Sequence, residues 1–151
     1  MIASAKTDDD GLLQIDGFFP GSFDRILLDP PCSALGLRPK LQVGQTTEKD
    51  LLAFASYQTR FIEPAVTLLK PTGRLVYSTC TFHARENEGM VQYILDKHPE
   101  MELEPITIPL GSPGLSGQGL SSEDCAKVKR FDPTVAEDTM GFFIACFVKR
   151  N

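Results

Sequence analysis

The sequence predicts an α/β fold, and three observations carry that prediction. Two short apolar runs, Ile26-Leu27-Leu28 and Leu75-Val76-Tyr77, have the composition and turn-bounded length of buried strands. Between them, Leu51, Leu52, Ala55, Ile62, Val66 and Leu69 recur at helical spacing. A further helical pattern and an aromatic run at 141–149 follow, so strands alternate with helices along the chain. Each of the first two strands delivers a cysteine at its carboxyl end, Cys32 and Cys80. Open α/β sheets bind their ligands beyond those ends.

In chain order, residues 1–21 read as a polar lead-in, with Asp8, Asp9 and Asp10 on a solvated acidic loop and Phe18 and Phe19 docking its end. Residues 22–151 read as the domain proper. Residues 22–29 form the first strand, whose consecutive apolar residues suit a strand covered on both faces. Pro30 and Pro31 stop it, since neither can donate to a ladder. A loop at 33–46 carries Gly36, Pro39 and Gly44. Thr47 and Asp50 read as a capping box opening a helix. Pro64 within it must kink that helix or start a second one. Pro71, Thr72 and Gly73 turn the chain into the strand at 74–80, and 81–85 turn it out again. A helix at 86–97 has Glu86 and Glu88 at its positive end and an apolar face of Met90, Val91, Ile94 and Leu95. A strand at 101–108, a Gly/Ser/Pro-rich loop at 111–119, a short helix capped by Ser122 and a strand at 141–149 complete the pattern.

The composition bounds what such a domain does. At 151 residues, with 42% hydrophobic and 23% charged residues, one domain with a real core is expected. A net charge of -5 argues against holding nucleic acid by charge alone and leaves room for a local basic site. The sequence has neither a membrane-length apolar run nor a signal-like start, so no membrane partner is expected. The four cysteines form no Cys-x-x-Cys unit and only His83 and His98 supply imidazoles, so no metal is expected. Reduced thiols in a cytoplasmic protein fit this usage. Cys125 and Cys146 read as structural, His83 as a turn residue and Lys127 and Lys129 as solvated; Arg130 either meets a ligand phosphate or closes its loop.

A lone cysteine after a strand is a weak signal. Two of them, with Asp29 three residues before Cys32 at a proline-flanked strand end, are not what packing alone asks for. With their flanks, the segments Phe23-Asp24-Arg25-Ile26-Leu27-Leu28-Asp29-Pro30-Pro31-Cys32-Ser33 and Leu68-Leu69-Lys70-Pro71-Thr72-Gly73-Arg74-Leu75-Val76-Tyr77-Ser78-Thr79-Cys80-Thr81 resemble the Nol/Sun family of RNA 5-methylcytosine methyltransferases. Glu86-Asn87-Glu88, Arg130-Phe131-Asp132-Pro133 and Gly141-Phe142-Phe143 extend the likeness over about 22–149. Arg38-Pro39 and the Gly-Phe-Phe-Ile-Ala ending resemble the branch that methylates the acceptor end of transfer RNA.

The resemblance implies the carboxyl half of a Rossmann-like class I methyltransferase sheet, with an antiparallel last strand. It implies S-adenosyl-L-methionine as cofactor and RNA, of the transfer RNA class, as partner. By it, Cys80 is the nucleophile that adds to carbon 6 of cytosine, Cys32 assists release, and Asp29 contacts both the base and the methionine part of the cofactor. The family commonly has alanine at the position of Pro30, and glycine at those of Ala34 and Thr72. The family's glycine-rich cofactor loop and ribose-binding acid have no counterpart here, so the chain alone is expected to be inactive and its strand at 25–29 to be an apolar edge that invites self-association. Two rivals stand beside this reading. Asp29-Pro30-Pro31-Cys32 is one residue from the Asp-Pro-Pro-Tyr motif of amino-methyltransferases, but Cys32 cannot stack on a base. The other rival is a non-catalytic truncated paralogue serving as a binding or assembly module.

Overall fold

A computed structural model of the chain describes residues 5–7, 13–15, 17–37, 46–133 and 138–151. Two short strands, β1 (Ala5–Thr7) and β2 (Leu13–Ile15), pair as a hairpin. The remaining elements are β3 (Phe23–Leu28), α1 (Glu48–Leu68), β4 (Leu69–Thr79), α2 (Glu88–Lys97), β5 (Met101–Glu104), α3 (Ser122–Lys127), β6 (Lys129–Phe131) and β7 (Phe142–Lys149). Strand alternates with helix as the sequence predicts.

The five-stranded sheet runs β3-β4-β7-β5, with β6 also on β7. β3 lies parallel to β4, and β7 runs antiparallel to β4, β5 and β6. β5 and β6 share one edge of β7, against residues 146–149 and 142–144 respectively. The last strand is thus antiparallel, as anticipated, and it sits inside the sheet.

The helices cover one face. Leu75 and Tyr77 of β4 and Phe143, Ala145 and Phe147 of β7 are fully buried, packed with Ile62, Val66, Val91 and Ile94 from α1 and α2. The alternate residues Val76, Ile144, Cys146 and Val148 are only part-buried. Along β3, Ile26 and Leu28 join the core while Leu27 is 72% exposed. This corrects the expectation that the first strand is covered on both faces. The period of two sends Leu27 to the side where no described helix lies.

The capping box is present: the Thr47 hydroxyl accepts from the Asp50 amide, and the Asp50 carboxylate accepts from the Thr47 amide. α1 continues as one helix through Pro64. At its carboxyl end the Lys149 ammonium donates to the carbonyls of Val66 (2.7 Å) and Leu69 (3.1 Å), satisfying groups the helix leaves open. No helix among the described residues is long and apolar enough to cross a membrane.

Other expectations need adjustment. The lead-in is not only loop, since it carries the β1–β2 hairpin; Asp8, Asp9 and Asp10 lie outside the described residues, as do Arg38, Pro39 and Gly44. The strand expected at 101–108 ends at Glu104. β6 is an additional strand. The helix expected from Glu86 starts at Glu88, and neither glutamate sits in solvent at a helix end: both are fully buried.

Pro71–Gly73, expected as a turn, form an irregularity inside β4. Phe23 pairs with Leu69 and Arg25 with Arg74, so between these pairs one residue of β3, Asp24, stands against four of β4. Thr72 has φ 64°, a left-handed conformation that a β-branched residue adopts only under strain. Relief of about 1–2 kcal/mol, offset by the greater chain entropy of glycine, makes Thr72→Gly a net stabiliser by about 0.5–1 kcal/mol. Chemical denaturation should show that gain; a loss would mean the Thr72 side chain contributes more than its backbone costs.

Candidate active site

Adjacent parallel strands place their carboxyl ends side by side, and β3 and β4 bring Cys32 and Cys80 together in this way. The two sulfur atoms lie 3.1 Å apart and both residues are part-buried. Burial, followed by the hydrogen bond with Cys80, pushes the Cys32 thiol up to about 12. Cys32 therefore keeps its proton at neutral pH, and a hydrogen bond joins the two sulfur atoms.

The loop bearing Cys32 is tied down at several points. Gly36 donates from its amide to the Cys80 carbonyl (3.0 Å), and Gly141, just ahead of β7, donates to the Gly36 carbonyl (3.0 Å). The two backbones nearly touch; a Cβ on Gly36 would stand 2.0 Å from the Gly141 carbonyl oxygen. Ala34, at φ 55°, makes the turn between Cys32 and this contact.

Side chains hold the residues flanking Cys32. The Glu86 carboxylate accepts from the Ser33 amide (2.9 Å), the Ser33 hydroxyl (2.5 Å) and the Gln58 side-chain amide (3.0 Å). The Gln58 amide also donates to the Pro31 carbonyl (3.2 Å). Its side-chain oxygen lies 3.0 Å from the Tyr77 hydroxyl, which donates as well to the Glu86 carbonyl (2.7 Å). Burial, followed by the nearby charges of Glu86, Cys32 and Asp29, drives the Tyr77 hydroxyl well above its usual value, so it remains a donor. With the Ser33 hydroxyl given to Glu86, the Thr81 hydroxyl donates to Ser33 Oγ (2.9 Å), joining the Cys32 loop to the residue after Cys80.

A second buried carboxylate sits one step along. Glu88 accepts Arg130 Nη1 at both oxygens (2.9 and 3.0 Å) and the Leu115 amide (2.8 Å). Arg130 Nη2 donates to the Phe82 carbonyl (2.6 Å). Of the two readings of Arg130, closing the loops onto the domain is the one seen here. Cys125 is buried with its thiol toward the Leu115 carbonyl, and Cys146 faces Glu104; neither approaches the thiol pair. His83 lies in the connection after β4, with Nδ1 buried and without a hydrogen-bond partner among the described residues.

Asp29 stands exposed at the carboxyl end of β3, outside the thiol contact. An exposed carboxylate at that strand end is a chemically suitable partner for the cationic methionine end of S-adenosyl-L-methionine. Gln58 is the site residue that the sequence reading missed. Its signal was a polar residue between Ala55 and Ile62, on the inward stripe of α1.

The raised Cys32 thiol is directly measurable. In a pH series with iodoacetamide, read peptide by peptide, Cys32 labelling should keep rising well past the ordinary thiol value of 9.0. A plateau at or below that value would overturn its assignment as the proton holder.

Residues 6–148 match the model of the 16S rRNA methyltransferase RsmB/F family. The chain is 45% identical over 141 residues to the rRNA (cytosine-C(5))-methyltransferase NOP2C of Arabidopsis thaliana, covering 87% of this chain and 24% of that protein. It is 39% identical over 155 residues to the human tRNA (cytosine(72)-C(5))-methyltransferase NSUN6, covering 87% and 33%. Among solved structures, NSun6 from Pyrococcus horikoshii with SFG superposes with a TM-score of 0.70 at 46% identity, covering 83% of this chain and 29% of that one. The chain thus spans a quarter to a third of the length of these relatives. With the family model matched from within β1 to within β7, and with the paired cysteines in place, the chain belongs to the RsmB/F family, the Nol/Sun methyltransferases that its two cysteine motifs resemble.

Proposed function

We propose that this chain supplies the reacting thiols of an S-adenosyl-L-methionine-dependent RNA cytosine-5 methyltransferase, with transfer RNA as substrate, acting together with the regions that complete its longer relatives. The observation that supports the reading best is the 3.1 Å contact between the Cys32 and Cys80 sulfur atoms at the ends of two adjacent parallel strands.

Carbon 5 of cytosine is too weak a nucleophile to take a methyl group unaided. Cys80 adds through sulfur to carbon 6 of an unstacked cytosine, and the ring becomes an enamine that is nucleophilic at carbon 5. Asp29, exposed at the carboxyl end of β3, hydrogen-bonds the base near ring nitrogen 3 and favours the protonated adduct. The cofactor, held in part by Asp29, contributes an electrophilic methyl group for carbon 5. Release then passes the carbon 5 proton to solvent water as the bond from Cys80 to carbon 6 breaks and its electron pair returns to sulfur. Cys32 assists there: its thiol hydrogen-bonds the departing Cys80 sulfur as negative charge returns to it.

The test uses the chain completed with the remaining regions of a longer relative, transfer RNA and cofactor. Cys80→Ala should abolish methylation and form no covalent complex. Cys32→Ala should permit attack and methyl transfer but impair release, so that protein accumulates cross-linked to RNA as a slow band on a denaturing gel. If the band appears with Cys80→Ala instead, the roles are reversed. Full activity in both variants would discard covalent catalysis by this pair in favour of the binding-module reading.

The isolated chain is proposed to self-associate. β3 ends the sheet order, so its outer edge is unpaired among the described residues, and Leu27 beside it is 72% exposed. Sedimentation should show concentration-dependent association that Leu27→Lys weakens; a monomer at high concentration would count against it.

A further inference from the structure

Gln58 and Glu86 do not touch either sulfur, yet between them they hold both chain neighbours of Cys32. Gln58 donates to the carbonyl of Pro31 on one side. Glu86 accepts from the amide and the hydroxyl of Ser33 on the other. The two side chains are joined to each other, and Tyr77 of β4, the strand that Cys80 follows, reaches the Gln58 side-chain oxygen and the Glu86 main-chain carbonyl. Both are fully buried. We propose that Gln58 and Glu86 are positioning residues that set the Cys32 thiol against Cys80, an assignment resting on the reading that the two thiols act as a pair.

The chemistry of the donors supports this over a role in packing alone. A carboxylate only accepts, and Glu86 meets three donors, two of them on Ser33. The Ser33 hydroxyl can then accept from Thr81 Oγ1, which itself accepts from the His83 amide at 3.2 Å. The hydroxyls thus point one way, from the segment after Cys80 toward Glu86. An amide at position 86 cannot meet the same set of donors without turning one NH2 against another donor or reversing this hydroxyl order. An apolar pair would fill the same space at helix α1 but would hold nothing on either side of Cys32. A thiol contact of 3.1 Å responds to displacements of a fraction of an ångström, and directional bonds to the preceding and following residues are a direct means of limiting them.

The rate of closing the Cys32–Cys80 disulfide reads this geometry without RNA or cofactor. Diamide takes up two electrons and two protons as both S–H bonds break and the S–S bond forms. The 151-residue chain, Glu86→Gln, and the milder Ser33→Ala are compared, with the bond mapped by peptide mass. Cys125 and Cys146 in the same molecule report general loosening through their alkylation. The expected result is rapid closure in the unaltered chain, slowing by about tenfold or more in Glu86→Gln and by less in Ser33→Ala, with labelling of Cys125 and Cys146 unchanged. Should Glu86→Gln fail to fold, slowing in Ser33→Ala alone carries the test. Equal closure rates, or faster labelling of Cys125 and Cys146 in step with the slowing, would overturn the assignment. Because the readout is independent of methylation, loss of the methyltransferase reading would not be mistaken for loss of this one.

Discussion

Burying a carboxylate costs several kcal/mol unless its oxygens find donors at good geometry. Glu86 and Glu88, two residues apart and fully buried, impose that requirement on the loop end of the sheet. Glu86 is met by the loop after β3 and by α1; Glu88 is met by Arg130 ahead of β7 and by the loop at Leu115. Four segments far apart in sequence are therefore drawn to one short turn before α2. An apolar turn there would pack, but it would not say where the loops go.

What this arrangement produces is an inequality between two identical side chains. Cys32 and Cys80 differ in surroundings: Cys32 lies in a loop whose burial disfavours its anion, while Cys80 follows β4 directly. A hydrogen bond between sulfurs is weak, so it cannot by itself hold the pair. The backbone does so, through Gly36, whose amide reaches the carbonyl of Cys80 and whose own carbonyl is taken by Gly141. Gly141 belongs to the sequence pattern around Phe142 and Phe143, and its Cβ would stand 2.6 Å from Gly36 Cα.

The parts of this structure that were legible in the sequence are those where one local signal dominates. Ile26-Leu27-Leu28 ahead of two prolines reads as a strand because little else fits, and Thr47 with Asp50 reads as a cap because the spacing is itself the hydrogen-bond geometry. The juxtaposition of Cys32 and Cys80 followed from two strands of the same design. The rest was carried by partners distant in sequence. β6, Lys129–Phe131, has no alternation to announce it and is a strand because β7 offers an edge. Glu86 resembles an exposed helix-start glutamate until Ser33 and Gln58 are in place. The strain at Ala34 and Thr72, where the family commonly has glycine, depends on φ values that composition does not carry.

The position of β7 in the sheet bears on how the protein is made. It follows every other element in the chain, yet it lies between β4 and β5 and is the strand with which β6 pairs. During synthesis, β3 and β4 can meet early, but β5 and β6 have no partner strand among the described elements until residues 142–149 leave the ribosome. Gly141, which closes the Cys32 loop over the end of β4, emerges at the same late moment. On the nascent chain the two thiols therefore wait, between the synthesis of Cys80 and that of Gly141, without the backbone contact that closes the Cys32 loop, and the sheet becomes one cooperative unit only when its centre arrives.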